Sequence, residues 1–151
     1  MLWYTHIAFG VLSSLVLMPS LSLTNKLIFF IFVIFGSLLP DIDHPDSKIN
    51  SYAPWLLKPI TIFTKHRGIF HSLIAGILFP GLIYYFISKT FGFALFLGYT
   101  SHLLIDGFTQ SGINFLHPVS KLHLSGFIET GKFLEHILLI IFVLLILFRI
   151  F

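Results

Sequence analysis

Long apolar runs separated by short polar connections dominate the 151-residue chain. The runs cover residues 2–18, 27–39, 70–88, 91–105 and 133–151. Runs of this kind with almost no charge are typical of membrane-spanning helices, because about 20 helical residues cross the hydrocarbon core. Pro40 ends the second run, since proline cannot continue the helical hydrogen bonds. The pattern predicts an all-α integral membrane bundle of about five transmembrane helices, forming a single domain over residues 1–151.

The longest connection, residues 41–67, has the pattern of a segment that lies on the membrane surface. Tyr52, Trp55 and several lysines alternate with apolar residues, and aromatic and basic side chains of this kind prefer the membrane interface. Pro54 and Pro59 disfavour one long continuous helix. We therefore expect an interfacial segment between the second and third crossings.

Composition supports the membrane assignment. Of the chain, 56% is hydrophobic and 10% is charged, and the mean hydropathy is +0.96. A soluble domain of this size could not cover its surface with so few polar residues. The chain has no cysteine, so any bound metal must be held by His, Asp or Glu. The net charge of +3 indicates membrane orientation and not a nucleic-acid surface.

Five crossings would divide the basic residues unevenly between the two faces of the membrane. The face that includes Met1 carries Lys48, Lys58, Lys65, Arg67, Lys121 and Lys132, and the opposite face carries Lys26, Lys89 and Arg149. Basic residues are enriched in cytoplasmic loops. We therefore expect a multi-pass protein of the cell (inner, cytoplasmic) membrane, with the Met1 face in the cytoplasm.

All eight histidines and all six acidic residues fall on the Met1 face, although the crossings are placed from the apolar runs alone. They are His6, Asp41, Asp43, His44, Asp46, His66, His71, His102, Asp106, His117, His123, Glu129, Glu135 and His136. Ionisable residues near a membrane are costly and usually functional. The sorting predicts that side chains far apart in sequence meet beside the bilayer.

Several of these residues have the spacing of metal ligands. His102 and Asp106 are four apart on a predicted helix and therefore share a face. Asp41 and Asp43 flank one residue after a helix end, where extended backbone would point both carboxylates the same way. The candidate ligands are His6, Asp41, Asp43, His44, His66, His71, His102 and Asp106. Carboxylates and neutral imidazoles suit divalent ions, and we expect two or more, with zinc favoured and manganese or magnesium as alternatives.

Paired metal ions suit phosphoester hydrolysis, because they stabilise the attacking and leaving oxygens and activate water. Arg67 would bind the phosphate, since its guanidinium is always charged and bonds bidentately. Asp43 or His71 would accept a proton. Each signal also has a structural alternative, namely a helix stop, a helix-stabilising pair or a hydrogen-bonded core histidine. Three residues stay open between ligand and structural roles: His117, His123 and Glu135.

Four motifs carry a resemblance to a known family. They are Thr5-His6; residues 39–44 (LPDIDH); His66-Arg67-Gly68 with His71-Ser72; and His102 to Asp106, continuing to Thr109, Gly112 and Pro118. Over nearly its whole length the chain resembles the YdjM-like family of membrane-bound proteins assigned as metal-dependent hydrolases. More distantly it is similar to the zinc phospholipase C and single-strand nuclease superfamily. That resemblance implies phosphoester hydrolysis at a cluster of up to three zinc ions.

Three functions remain to be weighed. The favoured interpretation is a membrane-embedded phosphoesterase that acts on a lipid or lipid-linked phosphate through metal-activated water. A metal or proton transporter would place its polar groups near the bilayer midplane, often in repeated halves, and no repeat is visible here. A non-catalytic membrane adaptor would use a structural metal site and bind a soluble partner protein.

Overall fold

The computed structural model describes residues 1–17, 26–44, 47–52, 54 and 68–151. Within these ranges the secondary structure consists of helices joined by loops, and two isolated β-bridges are the only strand-like pairings. The α-helices are α1 (Trp3–Leu17), α2 (Lys26–Leu38), α3 (Lys48–Tyr52), α4 (Leu73–Phe86), α5 (Lys89–Asp106) and α6 (Phe133–Ile150). Two 3₁₀ helices cover Leu39–Asp43 and Ile69–His71. The predicted all-α class is confirmed. Most of the predicted interfacial segment lies outside the described residues.

Helix α5 is at the centre of the bundle, where it packs against α1, α2 and α4. Its backbone approaches that of α2 closely, because glycine stands at the crossing points on both helices. A Cβ atom on Gly98 would lie 2.1 Å from the carbonyl oxygen of Val33, and one on Gly36 would lie 2.5 Å from that of Leu95. Small residues allow this close packing of membrane helices. The crossing brings the C-terminal ends of α2 and α5 together.

The buried serine hydroxyls of these helices find hydrogen-bond partners on the local backbone. Ser14, Ser37 and Ser101 each donate a hydrogen bond to a carbonyl three residues earlier in the same helix, at 2.7–2.8 Å. Ser72 has a different role at the start of α4, where its hydroxyl accepts a hydrogen bond from the backbone nitrogen of Ala75 and caps the helix. Each serine is therefore small enough for the interface and satisfied locally.

Helix α6 is the one helix in the described ranges that is long and apolar enough to cross a membrane by itself, with 18 residues and a mean hydropathy of 2.6. Most of its side chains are exposed, as expected for a surface that faces lipid. Helices α1 and α4 are apolar but have 15 and 14 residues. At 1.5 Å per residue they rise roughly 21–23 Å, less than a hydrocarbon core of about 30 Å. The predicted five crossings are therefore not confirmed.

The connection between α5 and α6 folds back onto the bundle. Isolated bridges pair Thr109 with Ile128 and Ile113 with Leu124. The backbone nitrogen of Leu73, at the start of α4, donates a hydrogen bond to the carbonyl of Phe115 at 2.8 Å. These bonds hold the connection against the end of the bundle at which α5 ends and α4 begins.

Candidate metal centre

Four buried side chains and the partly buried side chain of Asp41 meet at one end of the bundle. His6 comes from the first turns of α1, Asp41 from the 3₁₀ helix after α2, His71 from the 3₁₀ helix before α4, and His102 and Asp106 from the last turns of α5. The two 3₁₀ helices pack against each other, which brings Asp41 beside His71. The three histidines have no exposed surface and Asp106 is 1% exposed. Residues separated by up to 100 positions therefore share one site.

The atoms of this cluster are spaced as the ligands of a metal ion are. The Nε2 atoms of His71 and His102 are 3.4 Å apart. An Asp41 oxygen lies 3.4 and 3.7 Å from these two nitrogens, and an Asp106 oxygen lies 3.8 and 3.7 Å from them. Two ligand atoms about 2.1 Å from a tetrahedral ion are separated by about 3.4 Å. The spacings therefore suit an ion that bridges the two imidazoles.

Among the residues that the structure describes, two groups of ligand atoms are compact enough to hold an ion, with the atoms of each group within 4.8 Å of one another. The first group contains His71, His102 and Asp106, and the second contains His6, His102 and Asp41. His102 is common to both. The donor set of three imidazoles and two carboxylates fits zinc or a similar divalent ion, because it combines neutral nitrogen ligands with compensating negative charge.

His102 is held with its Nε2 atom toward the cluster. Its Nδ1 atom lies 2.8 Å from the carbonyl oxygen of Ser37 in α2. A carbonyl can only accept, so Nδ1 carries the hydrogen and Nε2 presents a lone pair. In a metal-binding histidine, the ring nitrogen that does not bind the metal often donates a hydrogen bond to a backbone carbonyl, which orients the ring. The close crossing of α2 and α5 thus determines the tautomer as well as the position of His102.

His71 has a carboxylate on each of its ring nitrogens. Asp41 faces Nε2, whereas an Asp43 oxygen lies 3.5 Å from Nδ1. The expectation that extended backbone points both carboxylates the same way is wrong, because residues 39–43 form a 3₁₀ helix with three residues per turn. Asp41 therefore faces the cluster, and Asp43 lies behind the imidazole of His71.

His6 supports a second ligand position. Its ring stacks on that of His102 with centroids 3.7 Å apart, and its Nε2 atom is 3.4 Å from an Asp106 oxygen. That oxygen also accepts a hydrogen bond from the nitrogen of Met1 at 2.5 Å. Among the described residues neither ring nitrogen of His6 has a hydrogen-bond partner, although both are buried. A buried polar group without a partner is costly, and a bound cation would satisfy it.

The charge of Asp41 fits a cation site at the end of α2. Burial alone would raise the pKa of this carboxyl, but the imidazoles of His102 and His71 hold its pKa well below the usual range. Asp41 is therefore ionised at neutral pH. Its side chain is 21% exposed, which makes it the most accessible of the five clustered side chains.

The remaining candidate ligands that the structure describes belong to neither of the two groups. His44 belongs to neither group; it is half-buried after the 3₁₀ helix, and its carbonyl accepts a hydrogen bond from Asn50. His66 and Arg67 lie outside the described residues. Glu135 is fully buried, and its two oxygens accept hydrogen bonds from the backbone nitrogens of Leu2 and Gly131, both at 2.6 Å.

His117, His123 and His136 also belong to neither group. His117 is half-buried in the connection after α5, and its buried Nδ1 atom has no hydrogen-bond partner among the described residues. His123 and His136 are exposed. The Nδ1 atom of His136 lies 2.9 Å from the carbonyl oxygen of Lys132, at the start of α6.

Two residues that support the site have no signal in the sequence. Asn50 in α3 donates hydrogen bonds to the carbonyls of Ile42 and His44, on either side of Asp43, at 3.1 and 2.5 Å. Tyr99 in α5 is fully buried, and its hydroxyl donates a hydrogen bond to the carbonyl of Phe70, next to His71. Both act on the backbone of a segment that carries candidate ligands, so neither shows the spacing of a ligand.

Replacing Tyr99 with phenylalanine is expected to weaken metal binding about tenfold, because the 3₁₀ helix that carries His71 loses a buried hydrogen bond. Competition with a chelating dye on detergent-purified protein would measure the affinity. Tyr85→Phe is the matched control, since Tyr85 is 82% exposed near the other end of α4. Equal affinities for the two variants would contradict a positioning role for Tyr99.

The known proteins that the chain resembles agree with its membrane character. The model of a family described as YdjM inner membrane protein matches residues 1–151. The chain belongs to the YdjM family. This membership identifies the chain as an inner membrane protein. The cluster of His6, Asp41, His71, His102 and Asp106 is therefore the candidate metal centre of a YdjM-family chain.

Two relatives illustrate the extent of similarity within the YdjM family. The chain is 37% identical over 111 residues to Uncharacterized protein YvsG of Bacillus subtilis (strain 168). The aligned residues make up 69% of this chain and 66% of that relative. It is 39% identical over 87 residues to Inner membrane protein YdjM of Escherichia coli (strain K12). That alignment includes 54% of this chain and 44% of the relative. The chain thus spans less than two thirds of either relative. No solved structure matches it.

Proposed function

We propose that this YdjM-family protein is a membrane-embedded, metal-dependent hydrolase that cleaves a phosphate ester of a lipid or lipid-linked substrate. The observation that carries the proposal is the cluster of three imidazole Nε2 atoms and two carboxylates at the end of the bundle, in which neighbouring ligand atoms lie 3.4–3.8 Å apart. The carbonyl on Nδ1 of His102 supports it, because it directs the Nε2 lone pair toward the cluster, as a metal ligand requires.

The residues divide into holding and positioning roles. His71, His102 and Asp106 would hold one ion, and His6 and Asp41 would hold a second. A bound divalent ion would supply Lewis acidity and lower the pKa of water. Asp43, behind His71, would keep that imidazole oriented and favour its Nε2 lone pair toward the cluster. Arg67 stays the candidate for binding the phosphate, on its chemistry alone.

Access to the cluster supports a substrate held at the membrane boundary. The partial exposure of the Asp41 side chain, 21%, supports access to the buried imidazoles from the side of Asp41. All five side chains lie at helix ends and not at the middle of a helix, which disfavours a transport pathway through the bilayer. A head group could enter this end of the bundle while its acyl chains stay in lipid. The basic residues of the same face support a cytoplasmic location.

A second candidate function rests on the burial of the three histidines. A structural metal site is closed by protein ligands, whereas a catalytic site keeps one position for water or substrate. A closed site would make the protein a membrane adaptor that binds a soluble partner. The two functions therefore differ in whether the metal exchanges a ligand with solvent.

The deciding experiment combines metal analysis with an assay. Detergent-purified protein is expected to contain stoichiometric divalent metal and to hydrolyse phosphate esters. Chelation should abolish the hydrolysis and added metal should restore it. Asp41→Asn should lower the rate at least about tenfold, and Lys121→Gln, an exposed change in the connection after α5, should leave it unchanged. Hydrolysis that survives complete metal removal would contradict the proposal, and bound metal without hydrolysis would favour the adaptor.

A further inference from the structure

An open pocket of about 480 Å³ lies at the start of α6, outside the candidate metal centre. It is lined by Gln110, Ser111, Ile128, Glu129, Thr130 and Lys132. Ligand pockets in proteins usually have volumes of about 300–1,000 Å³. The pocket is therefore large enough for a polar head group, and five of its six lining residues are polar.

The pocket carries one charge of each sign. Glu129 and Lys132 are both exposed, and neither side chain has an ion-pair partner in the part of the chain that the structure describes. The amide of Gln110 and the hydroxyls of Ser111 and Thr130 add hydrogen-bond donors and acceptors. The lining therefore complements a ligand that carries both an anionic group and a cationic group.

The position of α6 in the membrane locates the pocket in depth. Eighteen residues at 1.5 Å each span about 27 Å, close to the thickness of the hydrocarbon core. Lys132 directly precedes this candidate membrane span and would therefore lie at the level of the lipid head groups. Phe127 and Phe133, on either side of the pocket segment, are 70% and 77% exposed, as expected of aromatic residues that face the interface.

We infer that this pocket binds the head group of a zwitterionic phospholipid, with the phosphate near Lys132 and the ammonium near Glu129. The pocket is linked to the metal centre through its own lining, since Ser111 lies 3.4 Å from the hydroxyl of Thr109, which donates a hydrogen bond to the carbonyl of Asp106 at 2.7 Å. The inference goes beyond the proposed function, because head-group binding requires neither metal nor hydrolysis.

Native mass spectrometry of the detergent-purified protein tests the inference with a short-chain phospholipid that has a phosphoethanolamine head group. Lys132→Gln is expected to weaken binding about tenfold, since a charge-assisted hydrogen bond is lost. Lys121→Gln is the matched control and should bind normally. Glu129→Gln should weaken binding of this lipid but not of a phosphoglycerol lipid, which has no ammonium.

Equal losses for Lys132→Gln and Lys121→Gln would overturn the inference, because they would indicate diffuse attraction between basic residues and lipid. Unchanged binding in Lys132→Gln would overturn it as well. Competition by inorganic phosphate alone at the same concentration as the lipid would show a phosphate site and not a lipid site. Metal content, measured on the same samples, should be unaffected by all three substitutions, so failure here is distinguishable from failure of the proposed function.

Discussion

Replacing His102 with glutamine is expected to remove the divalent ion that His71, His102 and Asp106 would hold. His102 is the member that the two groups share, and its Nε2 atom lies within 3.4–3.7 Å of atoms from His71, Asp41 and Asp106. Changing a residue that merely orients a ligand costs about 10–100-fold in affinity, so loss of the shared ligand should cost at least 100-fold. Elemental analysis and chelator competition on purified protein would measure the loss.

His123→Gln provides the matched control, because His123 is exposed and belongs to neither group. It should retain full metal content. The thermal midpoint of metal-free His102→Gln should be compared with that of the metal-free parent, so that loss of the ligand is separated from loss of the fold. Full metal content in a folded His102→Gln protein would contradict the proposed metal centre.

The helical class and the meeting of five of the eight candidate ligands could be predicted from sequence because both depend on simple periodic features. Long uncharged runs form helices. Helix α2 ends just before Pro40, as expected of a residue that has no backbone N–H to continue the helix. The four-residue spacing of His102 and Asp106 puts both on one face of α5. Once the runs were placed, the one-sided distribution of His and acid residues required the polar groups to gather at the same end.

The different positions of Asp41 and Asp43 relative to His71 could not be predicted, because they depend on local backbone geometry. Asp41 and Asp43 are equivalent by spacing, yet the 3₁₀ helix directs one to Nε2 of His71 and the other to Nδ1. No periodic signal distinguishes a 3₁₀ turn from extended backbone after a proline. Likewise, the hydrogen bond of Tyr99 to the backbone of Phe70 joins positions 29 apart and exists only in the packed bundle.

The lengths of the helices within the apolar runs were also beyond the sequence pattern. Apolar runs end where polarity changes, whereas helices end where hydrogen bonding stops. The run at 70–88 therefore contains the 14-residue helix α4, preceded by the 3₁₀ helix Ile69–His71 and capped by Ser72. A run that is long enough to cross the bilayer can thus contain a helix that is too short to cross it alone.

Gly98→Ala is expected to destabilise the protein and to weaken the metal centre at the same time. The new methyl group would lie 2.1 Å from the carbonyl oxygen of Val33 and 2.8 Å from the nitrogen of Ser37. These are backbone atoms that cannot rotate away, so α2 must move. Overpacking of this kind costs about 1–3 kcal/mol, and we expect a fall in thermal midpoint of roughly 5 °C or more.

The movement of α2 links this packing defect to the chemistry, because α2 supplies the Ser37 carbonyl that orients His102 and leads directly to Asp41. Metal affinity of Gly98→Ala should therefore fall together with stability. Gly81→Ala in α4 is the matched control, since a Cβ atom there meets nothing within 4 Å. It should be neutral or stabilising by up to about 1 kcal/mol, because alanine favours helix more than glycine does. If Gly98→Ala kept the parent's metal affinity while losing stability, the orientation of His102 would not depend on the crossing of α2 and α5.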